Sequence, residues 1–147
     1  MTRPRAILRR LPNWPELLAA EIAAAEARPF AWGSMDCALF VCDCILAITG
    51  EDVAAKFRGR YKTERGANSQ WARRGYPTFL AIVIATLGEP LQTVRLAQRG
   101  DVVLIEGDLG FATAIVDLNG RDFVGASAEG LHRFPIGLAK YAWRVGE

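Results

Sequence analysis

Pro29-Phe30-Ala31-Trp32-Gly33-Ser34-Met35-Asp36-Cys37-Ala38-Leu39-Phe40 is the stretch on which the reading of this chain turns. An aromatic-Gly turn leads into Asp-Cys, and the run from Cys37 to Ile48 holds a single charge, Asp43. Asp caps a helix well, because its carboxylate accepts from N–H groups that the first turn leaves without partners. A helix is therefore predicted from Asp36 to Thr49, closed by Gly50. Being apolar nearly all round, it belongs at the centre of a domain. Cys37 then stands in the first turn, where the macrodipole favours a thiolate, and several cysteine hydrolases mount their nucleophile in this way.

Working outward, Asn13-Trp14-Pro15-Glu16 reads as the start of an earlier helix that stops near Arg28-Pro29. Residues 1–12, with Arg3, Arg5, Arg9 and Arg10, read as a basic arm, and residues 13–147 as one domain. Glu51 to Asn68 is polar and basic, a short helix plus loop. Pro77 opens a further helix through Phe79, Leu80, Ile82, Val83 and Leu87, although its β-branched residues leave a strand open. After Leu96 the pattern changes. Val102–Ile105, Phe111–Leu118 and Asp122–Ala126 read as strands, with Asn119-Gly120 a hairpin signal, and Leu131–Pro135 and Tyr141–Val145 as edge strands. Helices first and an antiparallel meander second make the class α+β.

The chain has 147 residues, 51% of them hydrophobic, which suits one domain with a real core. A net charge of +2 gives no reason to expect a nucleic-acid partner. Lys56, Arg58, Arg60, Lys62, Arg65, Arg73 and Arg74 nevertheless face only Glu64, whereas Asp101 to Glu129 is acidic. These read as two solvated faces, or as a surface for an acidic partner such as wall polymer or a neighbouring subunit. No signal peptide and no uncharged run of about 20 residues are visible, so synthesis in the cytoplasm without a membrane span is expected. Cys37, Cys42 and Cys44 suit neither a disulfide framework nor a zinc site, and no phosphate loop appears, so no cofactor or metal is expected. Asp36 and Asp101 read as cap and turn residues, Trp32 as a core anchor.

Three features stand in order: Trp32-Gly33 into Asp36-Cys37, then Gln98-Arg99-Gly100-Asp101-Val102-Val103, then the strand-turn-strand from Phe111 to Ala126. This order resembles the NlpC-type cell-wall cysteine peptidases, which implies a papain-like fold with N-terminal helices packed on a C-terminal antiparallel sheet. The resemblance makes Cys37 the nucleophile. It lays the family's His-Val-Gly-Ile on Ala112-Thr113-Ala114-Ile115, so that Ala112 takes the place of the base. Ala38-Leu39 likewise replaces the Ser-Gly that follows the nucleophile. Over residues 13–146 the chain is more closely similar to a small NlpC-related family encoded among the tail genes of phages and prophages. The residues concerned are Trp32 to Cys37, Gly100 to Val103, Gly130-Leu131 and Ala142-Trp143-Arg144.

That likeness implies a virion component of the tail tip or its assembly, catalytically degenerate, with other tail-tip or baseplate proteins as partners and peptidoglycan nearby. The alternative is an active peptidase or amidase cutting peptidoglycan stem peptides, with Cys37 as nucleophile and His132, the single histidine, as base. The first expects a buried Cys37 far from His132; the second expects both in one groove. A free-standing binding module would instead show a basic groove near Arg58 to Arg74.

Overall fold

The computed structural model describes residues 8–107 and 110–146. Among them, α1 (Trp14–Glu26), α2 (Cys37–Thr49), α3 (Glu64–Arg73) and α4 (Phe79–Leu87) precede the strands. These are β1 (Val102–Gly107), β2 (Gly110–Val116), β3 (Asp122–Ser127), β4 (Gly130–Pro135) and β5 (Ala139–Trp143), in the order β4-β3-β2-β1-β5 with antiparallel neighbours throughout. The α+β class and the helix-on-sheet arrangement expected from the sequence are those of the structure.

α1 starts at Asn13 without a side-chain cap and with Pro15 in its first turn. α2, α3 and α4 each start at a side chain that caps them. Asp36, Thr63 and Thr78 accept from the N–H groups of Leu39, Gly66 and Ala81, and Gly50 closes α2 in the left-handed region. The segment after Glu51 differs from the expectation. Turns fill residues 53–59, and the helix begins only at Glu64 and runs to Arg73, because Ala67 and Trp71, four apart, bury one stripe.

α2 lies across β2 and β3 and against α1. Phe40, Ile45 and Ile48 of α2 meet Leu18 and Ile22 of α1 and Val102, Leu104, Ile115, Val124 and Trp143 of the sheet. The opposite face of the sheet carries a second cluster of Val103, Ala114, Val116, Phe123 and Ala142, covered by Leu91 and Val94. Strands alternate their side chains, so these clusters divide every central strand into odd and even positions.

Of the basic arm expected over residues 1–12, residues 1–7 lie outside the described residues. Residues 8–12 are anchored to the domain rather than free. Leu11 donates to the Ile48 carbonyl at 2.8 Å, and Arg10 donates to Val145 O, Arg99 O and Asp101 Oδ1 at 2.7–2.8 Å. Asp101 is fully buried and also accepts from Arg144, Gln98 N and Val145 N.

Candidate functional site

The turn before α2 is built around Gly33. Its φ is +87°, and a Cβ there would stand 1.9 Å from the Tyr61 carbonyl oxygen, so no other residue fits. Ala31 and Met35 close the turn with two backbone bonds. Asp36 is buried beneath it with both oxygens used. Oδ1 accepts from Leu39 N at 2.9 Å; Oδ2 accepts from Gly33 N at 3.0 Å and from the Tyr61 hydroxyl at 2.7 Å. Burial, then the Asp36 carboxylate, push the Tyr61 phenol far above its ordinary range, so it stays a neutral donor. The cap role expected of Asp36 is the one it fills; Tyr61 gave no comparable signal in the sequence.

This scaffold places Cys37 in the first turn of α2, half-buried. The macrodipole predicts a low-pKa thiol, but burial outweighs it and raises the pKa to about 11. Hydrogen bonding by Thr113 acts in the opposite direction, and the Asp36 charge adds to the rise. At neutral pH roughly one thiol in 10,000 is then ionised. Burial also raises Cys42, to about 12, and lifts Cys44 well above its ordinary value. All three thiols are free.

The residue facing Cys37 from the sheet is Thr113, not Ala112. The Thr113 hydroxyl donates to the Cys37 carbonyl at 3.2 Å, and its strand neighbour Ile115 belongs to the core under α2. Ala112 pairs with Ile105, which packs with the cluster on the far face. Ala112, on which the resemblance lays the family's histidine, therefore stands on the face away from Cys37, since successive residues of a strand point to opposite faces. Thr113 pairs with Leu104 on one side. On the other side β2 pairs with β3 at Ile115–Val124 and Val116–Phe123. On β1 and β2, Leu104 and Ile115 share this face with Thr113. None of these can take a proton from a thiol at neutral pH.

His132 stands elsewhere. It pairs with Gly125 on β3, and its ring lies 5.9 Å from that of Phe134, which in turn lies 5.5 Å from Phe123 of the far-face cluster. The sheet separates it from Cys37, and the structure does not bring the two together. Its nearest charged partner is Glu129 at 4.0 Å.

Beside Cys37, between α2, α4 and the 53–57 turn, opens an apolar cleft of about 60 Å³. Ala38 and Thr113 form its wall on the Cys37 side. Among the described residues, no three His, Cys, Asp or Glu side chains gather as metal ligands would, and no helix is long and apolar enough to cross a membrane.

The fold is similar to that of the crystal structure of the NlpC/p60 domain of the peptidoglycan hydrolase SagA. The TM-score is 0.56 at 18% identity, over 88% of this chain and 97% of that one. The likeness establishes the NlpC-type fold. No curated protein matches the chain. Residues 9–145 match the family model described as a domain of unknown function (DUF6950), and the chain belongs to that family.

Proposed function

We propose that this protein is a non-hydrolytic member of the NlpC-type fold that serves as a structural component of a phage or prophage tail, at the tip or in its assembly. The observation that carries the first part is that the residue facing Cys37 from the sheet is Thr113, paired with Leu104, and neither is a base. Burial that raises the Cys37 pKa to about 11, and a facing hydroxyl that donates to a carbonyl, both disfavour a nucleophilic thiolate and support this reading. The second part rests on the ordered sequence resemblance to NlpC-related tail proteins. On this reading the chain is made in the bacterial cytoplasm and ends in the virion against tail-tip or baseplate subunits, close to peptidoglycan. The rival reading, a working peptidase or amidase on stem peptides, has in its favour the position of Cys37 at the start of α2.

The deciding experiment is the pH dependence of Cys37 alkylation in a Cys42→Ala/Cys44→Ala background, run beside digestion of purified wall fragments. Labelling that stays slow at pH 7 and climbs only toward pH 11, with no fragment cleavage, is expected. Rapid labelling below about pH 7 together with cleavage abolished by Cys37→Ala would sink the non-hydrolytic reading. For the tail role, particles induced from a strain carrying the gene should contain the protein, and deletion should leave tails absent or defective; normal particles without it would overturn that half.

A further inference from the structure

The cleft beside α2 has walls of one chemistry. Val41 and Ile45 come from α2, Val83 and Leu87 from α4, and Phe57 and Trp71 close the outer side. Two hydroxyls line it, and each already spends its proton on a backbone carbonyl. Thr86 donates to the Ile82 carbonyl at 2.8 Å, and Thr113 donates to the Cys37 carbonyl at 3.2 Å. The Cys42 thiol, also in the wall, is a weak donor at best. Water needs two to four polar partners to settle in a cavity, and this one offers none of that quality. The cleft is therefore poorly hydrated and suited to carbon.

Its size limits the guest. At about 10–15 Å³ for one water-sized group, a cleft of about 60 Å³ takes a chain end of roughly four carbons. The rim supplies a second constraint. The Arg74 guanidinium lies 4.8 Å over the ring of the wall residue Phe57 and donates to the Lys56 carbonyl at 3.3 Å. The Arg74 side chain is exposed, and the ion pairs among the described residues leave it without a carboxylate. Arg58, by contrast, is committed to Asp43 and Asp52. An apolar slot with an unpaired cation at its edge, Arg74, matches an anionic amphiphile.

We infer that the cleft between α2, α4 and Phe57–Trp71 binds the alkyl end of a short-chain aliphatic carboxylate, with Arg74 meeting the carboxylate. The inference stands apart from the tail role and from any activity of Cys37.

The test is an NMR titration of the intact protein with butanoate, hexanoate, octanoate and dodecanoate, with 1-octanol as the uncharged control. Affinity should rise about fourfold per added methylene while the chain is entering the cleft, then flatten before dodecanoate, with saturable shifts at Val41, Val83 and Trp71. Octanoate should bind several-fold tighter than octanol, and Arg74→Glu should erase that difference. Val83→Phe, which fills the cleft, should weaken octanoate binding by more than about tenfold with no loss of Tm. Should Val83→Phe fail to fold, Ala54→Leu fills the same space from the other wall. An unbroken rise through dodecanoate, unsaturable shifts, or a folded filling variant that still binds normally would overturn the site. Equal binding of octanol and octanoate would overturn the carboxylate.

Discussion

Thr113 and Ala112 are neighbours in sequence and on opposite faces of the sheet, and that difference makes the candidate site testable one residue at a time. Thr113→His would set an imidazole opposite Cys37, with the adjoining cleft giving it room. The thiol should then alkylate at least about tenfold faster at pH 7, since each unit by which its pKa falls multiplies the thiolate fraction by about ten. Ala112→His should leave the rate unchanged, because its ring would stand on the side of Ile105. Equal effects from both variants would show that the face assignment is mistaken. Asp36 offers a second case. Asp36→Ala removes the cap of α2 and orphans the buried Tyr61 hydroxyl. The loss should exceed the ~1 kcal/mol typical of a cap, reaching about 2–4 kcal/mol with the added unsatisfied donor. Urea midpoints would measure it, and Tyr61→Phe alone should cost less, because Asp36 keeps its backbone donors.

Among the elements, α2 shows how nearly complete local information can be. Asp36 and Gly50 bound it from either side, and its apolar interior announces its central place before any tertiary contact is known. α3 is the counter-example. Its segment is polar, with only Ala67 and Trp71 buried, so its start is decided by Thr63 and by an aromatic cluster in which Trp71 meets Phe57 and Tyr61 edge-on. The strands were legible from their apolar runs and turn residues, but the face that each residue takes was not, because Phe111 to Val116 is almost uniformly apolar and alternation leaves little trace in it. Thr113, the one polar residue in that run, was the available clue. Ion pairs tie these elements together at the surface, with Asp43 of α2 paired to both Arg28 and Arg58 at 3.2 and 2.6 Å.

Across the whole molecule, two features govern stability. Asp101 joins Arg10, the 98–101 turn and Arg144 around one buried carboxylate. Asp101→Asn leaves those cations without a buried counter-charge, and a loss of about 3–5 kcal/mol is expected, nearer the low end because Arg144 keeps access to water. Guanidinium unfolding would read it, and a loss below about 1 kcal/mol, the range of a surface pair, would contradict the role. The second feature is the three thiols of α2, with Cys44 buried and Cys37 and Cys42 half-buried. Their pKa values are raised in the folded state, from 9.0 to about 11 for Cys37 and to about 12 for Cys42. Above pH 9 the unfolded chain therefore releases protons that the folded chain retains, and stability falls as pH rises. The slope approaches about 1.4 kcal/mol per pH unit for each such thiol. Melting temperatures between pH 8 and 11 should drop accordingly, and Cys42→Ala should make the drop shallower; a flat profile would show that the thiols are not buried as described.

The sequence by itself determined the class, the central helix with its cap, the set of strands and the placement of one thiol at a helix start. These follow from interactions within a few residues: capping, periodicity and turn chemistry. Only the tertiary structure decided what the thiol faces, that His132 lies behind the sheet, and that Cys37 is held protonated. Strand register selects the face of every side chain at once, and desolvation is set by what the fold packs around a group, so neither quantity can be read from the residues beside it.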